Sequence, residues 1–158
     1  MQDLVFVCTG NICRSPMAEF LFRNLFQSEH PDWRVCSAGV STSYGIPASR
    51  FAIQALDECG VDLTPHRSQP VIPQMASTAA LLVVMTRGHQ AYLQDMYPIA
   101  GDKTSLLLQY SPKATDVDLL DPIGLSFDVY RYVRDEIREA LKGLSEHLHG
   151  YGANASSG

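Results

Sequence analysis

The chain has 158 residues, of which 46% are hydrophobic and 18% charged, and its formal net charge is -5. This length and composition indicate one globular domain, and the acidic charge argues against nucleic acids and anionic membranes as partners. The first residues lack a positively charged leader, and no apolar run approaches the roughly 20 residues of a membrane span, so we expect a cytoplasmic protein.

Predicted strands and helices alternate along the chain. Strands are predicted at 4–7, 33–36, 79–85 and 104–108, and helices at 16–28, 49–59, between 86 and 96, and from 126 onward. Segment 61–73 and the loop 109–125 are predicted to be irregular. This order predicts a three-layer α/β/α fold with a central parallel sheet of about four strands. We expect a single domain over 1–150 and a flexible tail over 151–158.

The segment from Cys8 to Ser15 lies where the first predicted strand gives way to the first helix. Gly10 and Asn11 are the residue types that most easily adopt left-handed backbone conformations. The backbone N–H groups of such a loop, with the positive end of the helix dipole, can form an anion-binding nest. The nest favours a thiolate at Cys8, and Arg14 can bind two oxygens of a phosphoryl group. The predicted phosphate-binding residues are Thr9, Gly10, Asn11, Ile12, Cys13 and Ser15.

This segment, CTGNICRS, resembles the C-x5-R-S signature loop of the low-molecular-weight protein tyrosine phosphatases. The resemblance extends, in the expected order, to Ser37-Ala38-Gly39, His66 and Asp121-Pro122, and therefore covers most of the chain. It implies a protein phosphatase that hydrolyses phosphotyrosine through a phosphocysteine intermediate, with Cys8 as nucleophile and Arg14 as phosphate clamp. Such an enzyme needs no metal or other cofactor. Its partners would be phosphorylated proteins, and we expect a monomer or weak dimer.

Asp121 is the candidate general acid and base. The leaving oxygen must be protonated by a group outside the nest, because the nest itself holds only donors. Pro122 stiffens the backbone beside Asp121, and the resembling family carries its acid in an Asp-Pro pair on a late loop. We interpret Asp116 and Asp118, in the same loop, as solvated turn residues.

The resemblance also implies residues that support the loop. Ser15 can donate a hydrogen bond to the Cys8 thiolate, and it can also cap the first helix. Asn11, Ser37 and His66 resemble the buried network that holds the loop in this family.

The four cysteines do not have the spacing of a zinc site. Cys36 and Cys59 are predicted to be small buried hydrophobic residues. The resemblance implies that Cys13 can form a disulfide with Cys8 and protect it from over-oxidation. The alternative is that Cys13 packs beneath the loop.

The predicted substrate cleft consists of Ile12, Tyr44 and Ile123. Many members of the family place aromatic residues directly after the Asp-Pro pair, whereas Ile123 and Gly124 follow here, so Tyr44 is the candidate for one wall. The Asp-Pro-x-Gly sequence and the region of Tyr130 resemble the protein-arginine phosphatase branch, but that branch typically has Thr at the position of Ile12. We predict phosphotyrosine as the substrate, with phosphoarginine as the alternative.

Two other functions agree less well with the sequence. Thioredoxin-coupled arsenate reductases share this loop and fold, but they need two further cysteines after the third strand, and residues 80–100 contain none. A non-catalytic phosphate-binding module would need neither a nucleophile nor an acid, whereas this chain carries Cys8, Arg14 and Asp121 together.

Overall fold

The computed structural model describes residues 1–156, with side chains as far as 151. The strands are β1 (Gln2–Cys8), β2 (Trp33–Gly39), β3 (Leu81–Val84) and β4 (Thr104–Leu106). The α-helices are α1 (Arg14–Phe26), α2 (Arg50–Asp57), α3 (Pro73–Thr78), α4 (Arg87–Met96) and α5 (Phe127–Ser156). Short 3-10 helices cover Gln27–Glu29, Pro98–Lys103 and Leu107–Tyr110.

The described strands form one parallel sheet in the order β2-β1-β3-β4. Alternate residues of β1 enter two separate cores, as expected for a central strand covered on both faces. Leu4 and Phe6 pack with residues of α1, α2 and α5, whereas Val5 and Val7 pack with residues of α3 and α4. The predicted three-layer α/β/α fold is therefore confirmed. The segment from Cys8 to Ser15, called the phosphate loop below, follows the central strand.

Several predicted boundaries were wrong. Helix α1 begins at Arg14 rather than Pro16, because a proline is tolerated throughout the first turn and need not mark the first residue. The last strand ends at Leu106, and the chain continues in 3-10 conformation instead. Helix α3 was not predicted, although Pro73 at its start is a typical helix-opening residue.

Helix α5 continues to Ser156, within the segment predicted to be a tail. Residues 157–158 of that segment lie outside the described residues, so the flexibility of the tail stays a prediction. Across the described residues, every helix is too short or too polar to cross a lipid bilayer.

Candidate active site

The loop between β1 and α1 turns its carbonyl groups away from a cavity. The carbonyls of residues 8, 9, 12 and 13 accept backbone hydrogen bonds of 2.9 to 3.2 Å, and that of Asn11 accepts one of 2.6 Å from His66 Nε2. Among the described residues, the N–H groups of 10–13 have no protein acceptor. Asn11 has φ 58°, the left-handed conformation predicted for it, whereas Gly10 does not have a positive φ. The loop thus has the character of an anion-binding nest.

Cys8 lies at the end of β1 and is 3% exposed. Its Sγ is 2.8 Å from Ser15 Oγ, and the same Oγ accepts a hydrogen bond of 2.8 Å from Asn11 Nδ2. Because Asn11 donates to Ser15, the hydroxyl proton of Ser15 is free to point at the sulfur. Ser15 is the second residue of α1, so the predicted alternative role as helix cap is wrong.

Arg14 connects the loop to the predicted acid. Its Nη1 donates to the Leu119 carbonyl at 3.0 Å, and its Nη2 lies 3.5 Å from Asp121 Oδ2. The Arg14 side chain is 5% exposed, but that of Asp121 is 44% exposed. Asp121 Oδ1 accepts a hydrogen bond of 3.2 Å from Ile123 N–H, which orients the carboxylate. A buried guanidinium and an accessible carboxylate therefore face each other.

These groups border a cavity of about 180 Å³. It is lined by Cys8 and Arg14, by the loop residues Thr9, Gly10, Ile12 and Cys13, and by Asp121 and Ile123. The nucleophile, clamp and acid predicted from sequence thus converge on one cavity, although Asp121 is distant along the chain from Cys8 and Arg14.

Comparison with known proteins identifies the family. The family described as low molecular weight phosphotyrosine protein phosphatase matches residues 3–153. The chain belongs to this family. It is 38% identical over 147 residues to the protein-arginine-phosphatase of Bacillus subtilis, covering 93% of this chain and 97% of that protein. It is also 35% identical over 152 residues to a probable low molecular weight protein-tyrosine-phosphatase of Ralstonia nicotianae, EpsP, covering 96% and 99%.

A solved relative shares the fold of this phosphatase over nearly its full length. The structure of the YwlE arginine phosphatase from Geobacillus stearothermophilus superposes with a TM-score of 0.86 at 36% sequence identity, covering 98% of this chain and 97% of that one. The predicted family, fold and hydrolytic phosphatase class are confirmed by these comparisons.

The buried network beneath the phosphate loop is centred on Asn11. Its Nδ2 also donates to Ser37 Oγ at 2.9 Å, and its Oδ1 accepts a hydrogen bond of 3.0 Å from Gln69 N–H. His66 must donate from Nε2 because its partner is the Asn11 carbonyl. Burial lowers the pKa of His66, which favours the neutral ring. The structure thus brings together Asn11, Ser37 and His66.

Sequence reasoning missed one charged member of this network. Ser37 Oγ donates to Glu19 Oε1 at 2.6 Å, and Glu19 Oε2 pairs with Arg23 at 2.7 Å. Burial raises the pKa of Glu19, although its hydrogen bond from Ser37 and the Arg23 charge oppose the shift. A carboxylate within the apolar first turns of α1, four residues before an arginine, was the signal available in the sequence.

His89 is a second missed contact of the loop. His89 Nε2 lies 2.8 Å from Thr9 Oγ1, and its Nδ1 is buried without a partner among the described groups. Burial, together with the positive charge of Arg14, lowers the pKa of His89 to about 4. The imidazole is therefore neutral near pH 7 and adds no charge beside the nest.

Tyr44 does not form the predicted wall of the cleft. Tyr44 is 67% exposed and lies outside the cavity lining. The following Gly45 has φ 91° and donates its N–H to the Ser68 carbonyl at 2.9 Å, which ties this turn to a neighbouring loop. The apolar mouth of the cavity is formed by Ile12 and Ile123 instead.

Asp116 and Asp118 lie outside the cavity lining, but Asp118 is more than a solvated turn residue. It accepts a hydrogen bond of 2.8 Å from Arg87 N–H and pairs with the Arg87 guanidinium at 3.1 Å. These contacts lower the pKa of Asp118. They also attach the loop 109–125, called the acid loop because it carries Asp121, to the start of α4.

The cysteines are all free thiols in the structure. Cys13 is buried, and its Sγ contacts Ser49 Oγ at 3.1 Å and Tyr130 Oη at 3.4 Å. Burial raises the pKa of Cys13, so the resting thiol is protonated. Its redox role stays a prediction. Cys36 and Cys59 were predicted to be buried, but in the structure both are only half-buried.

Replacing Gly39 with alanine is expected to lower the free energy of unfolding by about 1–3 kcal/mol, because a methyl group there is overpacked. It would lie 2.5 Å from the Thr9 carbonyl oxygen and 3.1 Å from Asn11 Cβ. Urea unfolding would measure the change. Gly150→Ala is the control, since a methyl group there meets nothing within 4 Å. Equal unfolding midpoints for wild type and Gly39→Ala would contradict this close packing.

Proposed function

We propose that this chain hydrolyses phosphotyrosine in proteins through a phosphocysteine intermediate on Cys8. The observation that carries the proposal is the convergence of Cys8, Arg14 and Asp121 on one cavity beside the loop whose N–H groups at 10–13 have no acceptor among the described residues. A thiolate, a bidentate cation and an exposed carboxylate are the groups that this reaction requires.

In the first step Cys8 Sγ attacks phosphorus in line with the leaving group. The S–P bond forms as the P–O bond to the substrate breaks, and Asp121 gives its proton to the departing oxygen. Arg14 and the loop N–H groups bind the equatorial oxygens, where charge accumulates. The buried position of Arg14 and its bond to the Leu119 carbonyl hold the guanidinium in place for this task.

In the second step water hydrolyses the phosphocysteine. Asp121, now a carboxylate, accepts a proton from water as the water oxygen attacks phosphorus and the S–P bond breaks. Cys8 leaves as a thiolate, and the hydroxyl of Ser15, 2.8 Å away, stabilises it. The exposed position of Asp121 supports this role, because water must reach the carboxylate.

The apolar mouth of the cavity supports phosphotyrosine as the substrate. The side chains of Ile12 and Ile123 offer hydrocarbon surface to a phenol ring just outside the phosphate site. Polar recognition of a guanidinium, by contrast, would need hydrogen-bond acceptors at these positions.

Phosphoarginine is a second candidate because no aromatic side chain lines the cavity within the described part of the chain. The similarity to proteins named protein-arginine-phosphatases also supports it. In that case the Asp121 carboxylate, at the rim of the cavity, would be the acceptor nearest to the substrate guanidinium.

The setting of the reaction is likewise part of the proposal. Phosphorylated proteins would be the partners, and the chain would act in the cytoplasm as a monomer or weak dimer, with residues 1–150 as a single domain. The acidic composition, with a net charge of -5, supports a protein that does not bind nucleic acids.

The substrate is tested by comparing phosphotyrosine and phosphoarginine peptides with the wild type and Ile12→Thr. We expect the wild type to prefer phosphotyrosine. The substitution removes apolar surface and adds a hydroxyl, so it should shift the ratio of kcat/KM values toward phosphoarginine by about tenfold or more.

Ile99→Thr is the matched control, because Ile99 is 67% exposed and lies outside the cavity lining. An unchanged ratio in Ile12→Thr would refute the role of Ile12. A wild type that prefers phosphoarginine would replace the first candidate with the second.

A further inference from the structure

A cluster of metal-ligating side chains lies at the end of the sheet opposite the phosphate loop. Glu29 ends the 3-10 helix after α1, His30 follows it, and His149 belongs to α5. One ligand atom from each of the three residues lies within 4.8 Å of the others. The cavity beside them is also lined by Gln2, at the start of β1, whereas Cys8 ends that strand.

The three side chains are already held near one another. The rings of His30 and His149 have centroids 4.4 Å apart, and Glu29 Oε2 lies 4.0 Å from His149 Nε2. Ser145 Oγ contacts both His30 and Glu29: it lies 2.7 Å from His30 Nε2 and 3.3 Å from Glu29 Oε2. Phe22 stacks against His30 with a centroid distance of 5.8 Å, which limits the movement of the buried ring.

The donor atoms of these side chains suit a metal ion. Imidazole nitrogens and carboxylate oxygens are common ligands of divalent transition-metal ions, and a single ion here would attract both rings and the Glu29 carboxylate. Gln2 Oε1 adds a buried acceptor without a hydrogen-bond partner to the same cavity.

We propose that Glu29, His30 and His149 bind a divalent transition-metal ion, and that Zn²⁺ is the best match. Two imidazoles and one carboxylate form a ligand set typical of zinc, which leaves a fourth position for water. Ca²⁺ and Mg²⁺ prefer sites made of oxygen atoms. Binding would replace the hydrogen bond between His30 and Ser145 and would attach the end of α5 to the segment after α1.

The site is tested by titrating the purified full-length chain with ZnCl2 in a calorimeter and by recording thermal unfolding with and without zinc. We expect the wild type to bind one equivalent at this site and to unfold at a higher temperature with zinc. His149→Gln should weaken binding by about tenfold or more and abolish the thermal shift. His147→Gln is the matched control, because His147 is an exposed histidine of the same helix that packs on Tyr110.

The cysteine thiols of the phosphate loop are the competing zinc ligands, and Cys8→Ser separates the two sites. If the proposal is correct, Cys8→Ser still binds the one equivalent of zinc that His149→Gln no longer binds. It is overturned if His149→Gln binds zinc as tightly as the wild type, or if Cys8→Ser alone removes binding. Since His149 is remote from the phosphate loop, His149→Gln should leave hydrolysis of an aryl phosphate unchanged, so this test is independent of the proposed reaction.

Discussion

Cys8→Ser is expected to lower kcat for 4-nitrophenyl phosphate by about 10⁴-fold or more, since a serine hydroxyl is a far weaker nucleophile than a thiolate. The fold should survive, because serine is close in size to cysteine and Ser15 Oγ is within hydrogen-bonding distance of position 8. Substrate binding should also survive, because Arg14 and the loop N–H groups remain. The measurement is steady-state turnover, with far-UV circular dichroism to confirm folding.

Cys59→Ser is the control for the loss of a thiol as such. Cys59 is half-buried near Arg138, with a sulfur-to-Nη1 distance of 3.6 Å, and lies outside the cavity lining. The kcat of Cys59→Ser should stay close to that of the wild type. Rapid quenching of the wild type with ³²P-labelled substrate should trap label on Cys8. Substantial turnover by Cys8→Ser, or label on another residue, would refute Cys8 as the nucleophile.

The local part of the site could be predicted from the sequence. A β-branched run, a cysteine, a Gly-Asn pair and a following helix are contiguous, so their order alone places Cys8 and Arg14 at the strand-to-helix junction. The left-handed conformation of Asn11 also follows from its residue type. Asp121 was predicted because an acid is needed outside the nest and because the Asp121-Pro122 pair resembles the position of the acid in this family. The structure places its carboxylate beside Arg14.

Contacts between distant segments could not be predicted in the same way. The bonds of Ser37 to Glu19 and of His89 to Thr9 join residues 18 and 80 positions apart, and only the folded sheet brings them together. The turn that carries Tyr44 is likewise tied to a neighbouring loop, by the bond between Gly45 N–H and the Ser68 carbonyl. A residue type indicates what a side chain can do, whereas its partner is decided by packing.

Asp121→Asn is expected to lower kcat for phenyl phosphate by about 10²–10³-fold, because the amide cannot donate a proton to a poor leaving group. Asparagine keeps the size of the side chain and can still accept the hydrogen bond from Ile123 N–H, so the acid loop should keep its shape. With 4-nitrophenyl phosphate the first step needs less protonation, and the loss of the phosphorylation rate should be smaller. Pre-steady-state burst kinetics with both substrates would separate phosphorylation of the enzyme from hydrolysis of the intermediate.

Asp116→Asn makes the same change of charge in the same loop, but Asp116 is exposed and lies outside the cavity lining. Its turnover of both substrates should stay within about twofold of the wild type, since a distant exposed charge is screened by solvent. The ion pair between Asp121 and Arg14 allows another outcome, in which the carboxylate only positions the guanidinium. In that case Asp121→Asn would slow the phosphorylation step equally for both substrates and raise KM, and the assignment of Asp121 as general acid would be wrong.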